Sequence, residues 1–315
     1  MPDLMFGSAI HVERHPLKST SVTVRMTNDF GTTHGKRWHS MICHRQSTMC
    51  LKKTSEDSMY YVGHSQGTEI MFALLAEDQR FAAKIRQFHA LAPVATVSHI
   101  GGLFRLFGER LTILTEFLLH RIPNSPFTLP KILQKMISYL CSLPIARGVC
   151  TLDIGFIDGK ETQMNKTRIG VYLCHTPAPT SAKNILHWIQ IVKSRKCEKF
   201  DYGPKGNMQE YGQKTPPVFD LRKITTPTYL YWSKDDILAD TEDIRETILS
   251  EMNATIRGSY ELPHYTHLDF VFGINATNDV YQPIVDRIRH DFIDKKYAGK
   301  QSHIVLTSHI VSSCP

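Results

Sequence analysis

The chain has no uninterrupted run of about 18 apolar residues, the length a helical membrane span requires, so no transmembrane segment is expected. Its most apolar region, residues 101–122, is broken by Arg105, Glu109, Arg110 and Glu116. No two cysteines stand at C-x-x-C spacing, which argues against a zinc ribbon and against a dithiol redox motif. Dense basic stretches are also missing. The formal charge of +7 is scattered in short pairs such as Lys52-Lys53, Arg195-Lys196 and Lys295-Lys296. A nucleic-acid partner is therefore not expected, and what remains is a mild peripheral attraction to anionic lipid surfaces. The opening residues, Met1-Pro2-Asp3-Leu4-Met5-Phe6-Gly7, lack a basic stretch followed by an apolar core and do not read as a signal peptide. No internal repeat is visible. What the chain does have, 42% hydrophobic and 21% charged residues in 315, is enough to build a sizeable globular core.

One stretch stands out against this background: Met59-Tyr60-Tyr61-Val62-Gly63-His64-Ser65-Gln66-Gly67-Thr68. Four residues of strand character run into Gly-His-Ser-Gln-Gly, and a helix-favouring run, Glu69 to Ala76, follows directly. A serine at G-x-S-x-G spacing between a strand and a helix is a nucleophile elbow. Gly63 and Gly67 are needed because the backbone of such a turn passes too close to its neighbours to admit Cβ groups. The turn lifts the Ser65 hydroxyl over the sheet edge at a helix N-terminus. There the dipole and the N–H of Gln66 would meet a developing oxyanion.

Along the chain, residues 1–48 form a divergent, polar, histidine-rich segment with one short strand expected over 21–26. His34, His39, Cys43 and His44 cluster loosely there, but their spacing fits no standard metal site, and no metal is expected. Residues 49–93 and 216–293 read as one α/β core. It has the elbow strand, a helical turn over 80–87, and strands over 88–94, 227–232 and 258–262, with helices over 241–252 and 278–293. Between them, residues 94–215 lack strand patterning. They read as an inserted helical cap, with helices expected over 103–120, 129–140 and 184–192. Residues 294–315 are a tail without readable pattern. Three N-x-[ST] sequons, at Asn165, Asn253 and Asn275, offer weak support for a secretory setting. Of seven cysteines, Cys141 and Cys150 stand nine apart, equally open to a bridge or to two buried thiols.

A serine, then acids after a later strand, then histidines after the last strand is the α/β-hydrolase order of a Ser-His-Asp triad. The residues leave the choice open among Asp235, Asp236 and Asp240, and between His264 and His267. Four separated stretches narrow it: 60–68, Leu186-His187-Trp188, Trp232 to Asp240, and His267-Leu268-Asp269-Phe270. Together with His175-Thr176-Pro177-Ala178 and Asn184 to Trp188 they resemble the acid lipase family over most of the chain, in matching order. That resemblance implies an α/β-hydrolase fold with a mostly parallel sheet and a helical cap. It implies Ser65 as nucleophile, Asp236 as acid, His267 as base and Gln66 as oxyanion donor, with no metal or cofactor. It also implies fatty-acyl ester substrates such as triacylglycerols or sterol esters, a secreted or lysosomal glycoprotein, and a Cys141–Cys150 bridge in the cap.

The resemblance departs before the elbow. The family's earlier strands and its His-Gly-Leu loop, source of a second oxyanion N–H, are not recognisable in residues 1–48, where His34-Gly35 follows no apolar strand. The sheet is accordingly expected to be truncated, with four strong core strands. Two functions follow: a lipase, or a catalytically impaired relative that binds lipid or a partner without turnover.

Overall fold

The computed structural model describes residues 14–15, 19–20, 38–105, 126–127, 130–146, 148–150, 159, 163–174 and 180–297. At its centre lies a four-stranded parallel sheet built from β1 (Met59–His64), β2 (Ile85–Leu91), β3 (Thr228–Trp232) and β4 (Ile256–Glu261), in the order β1-β2-β3-β4. The register sets Tyr61 beside Phe88, Phe88 beside Thr228 and Tyr229 beside Gly258, so all four strands finish at one edge.

Alternation along the strands sorts the two faces. Tyr61, Phe88, Ala90, Leu230 and Trp232 point into a cluster shared with Ile70, Phe72 and Leu75 of helix α2 (Gln66–Glu77). Tyr60, Val62, Leu91, Tyr229 and Tyr231 point the other way, into a cluster containing Val280, Ile284 and Ile288. The last two belong to the final helix, Gln282–Tyr297. A sheet covered on both faces is the α/β arrangement that parallel pairing requires. The Tyr60 hydroxyl donates to Asp291 at 2.6 Å and the Arg86 Nε donates to it at 2.9 Å, fastening the final helix across the sheet.

Two expectations are corrected here. Residues 38–48 read as irregular, yet helix α1 runs from Trp38 to Thr54 across the boundary drawn at 48/49. Its buried stripe is Cys43, Ser47, Cys50 and Leu51, and it packs on α2. Spacing of i, i+4, i+7 is helical, but a stripe of cysteine and serine is nearly silent in a hydrophobic pattern. The helical turn expected over 80–87 stops at Ala82, and β2 begins at Ile85. Arg86 and Gln87 look helix-favouring in sequence but serve as strand residues because Asp291 and His89 satisfy them.

Between β2 and β3 the described residues contribute nothing to the central sheet. They form helix α3 (Lys131–Ser142), a short helix Ile169–Leu173, helix α4 (Ala182–Ser194) and helix Gly203–Tyr211. A two-residue antiparallel ladder joins 126–127 to 180–181. Cys141 in α3 is disulfide-bonded to Cys150, while Cys43, Cys50 and Cys197 are buried free thiols. Of the helix expected over 103–120 only its first residues, in a helix Gly102–Arg105, fall among those described. The strand expected over 21–26, His34-Gly35 and the end of the tail lie outside them.

Candidate active site

The turn that carries Ser65 is built by exclusion. A Cβ on Gly63 would stand 2.8 Å from the Tyr61 ring and 3.0 Å from the Gly67 carbonyl, so only glycine fits there without displacing its neighbours. Ser65 itself adopts φ 55°, a strained conformation for a residue with a side chain. Several bonds hold it in place. The Ser65 N–H donates to Leu91 O at the end of β2 at 3.0 Å, and the Tyr61 hydroxyl donates to Gly67 O at 3.0 Å. The Thr68 hydroxyl donates to Ser65 O at 2.6 Å and accepts from Val94 N–H at 2.8 Å.

At the neighbouring strand ends, Asp236 follows β3 and His267 follows β4. The His267 Nδ1–H donates to Asp236 Oδ2 at 2.9 Å, and Oδ1 lies 3.1 Å away. On the other side of the ring, the Ser65 hydroxyl donates to His267 Nε2 at 2.6 Å. All three residues are buried. Burial alone would raise the Asp236 carboxyl. The His267 charge and N–H, with the N–H groups of Ala239 and Leu238, outweigh it and hold that carboxyl below its ordinary range. Both backbone bonds, at 2.9 Å, fix the carboxylate facing the imidazole.

The competing residues are placed elsewhere. His264 is exposed, with φ 60°, and its ring and N–H face Asp235, at 3.6 Å and 3.0 Å. Asp240 accepts from Glu242 N–H at 2.7 Å as the cap of the helical segment beginning at Thr241. His64 has its Nε2 2.8 Å from His267 O, a bond it makes as donor, and the two rings lie 4.8 Å apart. Burial and the charge of His267 push its pKa down to about 3, so it is a neutral donor at any ordinary pH.

Two buried acids went unread in sequence. Asp269, quoted only as part of H-L-D-F, is fully buried and accepts from Thr266 N–H at 3.0 Å, the Thr266 hydroxyl at 2.8 Å and Gln163 N–H at 2.9 Å, which shapes the His267 loop. Glu69, in the first turn of α2, is buried, and desolvation pushes its carboxyl up to about 7. A glutamate in a helix-favouring run looks like a surface residue, and nothing local signals otherwise.

Of the residues considered for a metal, Cys43 is buried against α2 and His44 lies 3.6 Å from Asp78, while His34 is outside the described residues. Among the described residues, His99, Asp240 and Glu242 bring ligand-type atoms within 4.8 Å of one another in a partly open grouping. Of the sequon asparagines, Asn253 and Asn275 are exposed and Asn165 is half-buried.

Among known proteins, the chain is 40% identical over 249 residues to lipase lipl-1 of Caenorhabditis elegans, covering 78% of this chain and 62% of that one. It is 36% identical over 245 residues to bovine gastric triacylglycerol lipase (76% and 60%) and 35% identical over 240 residues to human lipase member K (75% and 58%). It thus spans about 60% of the length of these relatives. No family model matches. Among solved structures, a monoglyceride lipase from Saccharomyces cerevisiae aligns with 85% of this chain and 73% of its own at 13% identity, with a TM-score of 0.47. That likeness is too slight to carry weight, and the α/β-hydrolase fold rests on the parallel sheet and the strand–elbow–helix unit.

Proposed function

We propose, from its likeness to gastric and nematode lipases, that the chain belongs to the acid lipase family and is a serine ester hydrolase acting on fatty-acyl esters such as triacylglycerols or sterol esters. In this reading Ser65 Oγ attacks the ester carbonyl while its proton passes to His267 Nε2. The tetrahedral oxyanion is met by the N–H of Gln66 at the start of α2. Collapse expels the alcohol, which takes the proton from His267 and leaves an acyl-enzyme. Water then repeats the sequence: His267 accepts its proton, the fatty acid leaves, and Ser65 recovers its hydrogen. Asp236 holds the imidazole tautomer and stabilises the imidazolium. The steps draw on no metal or cofactor.

The observation that carries this reading is the hydrogen-bonded line from Ser65 through His267 to Asp236, assembled from three strand ends. Residues 94–215 serve as the cap in this account. Helix α3 turns Ile132, Met136, Tyr139 and Leu140 outward beside Lys131 and Lys135, a face suited to an anionic lipid surface. The family's secreted or lysosomal setting would place glycans on Asn165, Asn253 and Asn275.

A reading without turnover competes on one sequence observation: no apolar strand precedes His34-Gly35 to supply the second oxyanion N–H. Loss of one such donor typically costs ~10²–10³ in turnover. Hydrolysis of short- and long-chain p-nitrophenyl esters by the chain and by Ser65→Ala decides between them. Turnover lost in Ser65→Ala supports the lipase. A folded wild-type protein that binds lipid vesicles but cleaves no ester supports the binder.

A further inference from the structure

Gln66 carries the backbone N–H assigned above to the oxyanion, yet its side chain does not run out to solvent. It turns toward helix α4, where its carboxamide meets that of Asn184. Gln66 Nε2 donates to Asn184 Oδ1 at 2.6 Å, and Asn184 Nδ2 donates back to Gln66 Oε1 at 3.3 Å. Asn184 Nδ2 also donates to Thr180 Oγ1 at 3.0 Å. The Asn184 N–H donates to Ser181 Oγ, the cap of α4, at 3.1 Å. Both side chains are buried. A carboxamide offers a donor N–H beside an acceptor oxygen, so two of them facing each other can make the reciprocal pair seen here.

The placement has a mechanical consequence. Moving α4 away from α2 would leave two buried amides without each other, and an unmade buried hydrogen bond costs more than a made one returns. Further along α4, Ile191 and Val192 pack in the cluster that holds Leu238 and Ala239 of the Asp236 loop and Tyr265 and Phe270 of the His267 loop. One helix is therefore hydrogen-bonded to the turn that carries Ser65 and shares a hydrophobic cluster with the loops of Asp236 and His267.

We propose that Asn184 is a positioning residue for the reaction assigned to this site, an inference that rests on that assignment. Its amide pair clamps the far end of the Gln66 side chain, fixes the direction of the Gln66 N–H, and latches helix α4 to the nucleophile turn. Asn184 touches neither the ester nor the reacting atoms. It acts through Gln66.

Steady-state hydrolysis of a p-nitrophenyl ester by Asn184→Ala, Asn184→Leu and the exchanged pair Gln66→Asn with Asn184→Gln tests it, with circular dichroism checking that each variant folds. Truncation lowers kcat about tenfold while KM stays within about twofold, because the pair bears on the oxyanion and not on the acyl chain. The exchanged pair keeps both carboxamides and recovers most of the lost kcat, which a residue that merely anchors a helix does not require. An unchanged kcat in Asn184→Ala, or a loss as deep in the exchanged pair as in the truncation, overturns the proposal. If the wild-type chain neither hydrolyses the ester nor reacts with a fluorophosphonate, the assigned reaction is what fails, and the latch is read by hydrogen exchange. Faster exchange of the α4 amides in Gln66→Ala and in Asn184→Ala, no faster in the double variant, upholds the latch. Unaltered exchange in both single variants overturns it.

Discussion

At the scale of single residues, the account turns on which of several chemically equivalent side chains is buried where. Asp235, Asp236 and Asp240 are indistinguishable by type, and the fold separates them: one faces an exposed histidine, one caps a helix, and one lies beneath His267. Asp236→Asn should leave the fold intact and lower kcat by about 10⁴, because the amide imposes the wrong tautomer on His267. His264→Ala should change kcat less than about twofold, and parallel ester assays of the two variants check both. The sequence made the serine legible because glycines must flank such a turn. It left the histidine open because burial and a positive φ at position 264 are products of tertiary packing. Only the resemblance of H-L-D-F to a known family narrowed that choice. The role of His64 was equally hidden, since a donor to a carbonyl 203 residues away leaves no local pattern.

Elements show the same division. Strands with β-branched or aromatic alternation and α2 behind its glycines were readable. The end of α1 beyond Met49 was readable too, but residues 38–48 of it were not, because the packing stripe is Cys43, Ser47 and Cys50. The turn joining β1 to α2 is the element most sensitive to a single methyl group. Gly63→Ala should destabilise the chain by about 1–3 kcal/mol through overpacking against Tyr61 and the Gly67 carbonyl, and should slow ester cleavage out of proportion. Urea unfolding alongside kinetics separates the two effects. In the inserted segment, the Cys141–Cys150 bridge closes a short loop at the end of α3. Its reduction should cost about 2–3 kcal/mol of local stability, seen as faster proteolysis within 131–150. The central sheet, which the bridge does not touch, should unfold at the same urea concentration as before.

Across the whole molecule, buried titratable groups set how the fold answers to pH. His64 and His89 are pushed down to about 3 and His187 to about 4, in each case chiefly by burial. The unfolded chain therefore binds protons that the folded one refuses, and stability present above about pH 6.5 drains away as the pH falls toward 3–4. Glu69 works in the opposite sense. Its carboxyl is raised to about 7, so the stability tied to its neutral form is full below about pH 4.5 and is lost as the pH rises through 7. Three imidazoles outweigh one carboxyl. The urea midpoint should be lower at pH 5 than at pH 7, and Glu69→Gln should deepen that drop because it removes an opposing contribution of about 2 kcal/mol over that interval. An unchanged drop in the variant would contradict a buried, neutral Glu69. The central claim concerns a smaller part of the molecule, the serine at the elbow. Its most direct test is to treat the folded chain with a fluorophosphonate and locate the adduct by peptide mass. The account predicts one adduct, on Ser65, absent from His267→Ala. A folded chain that stays unlabelled, or carries its adduct on another serine, would contradict it.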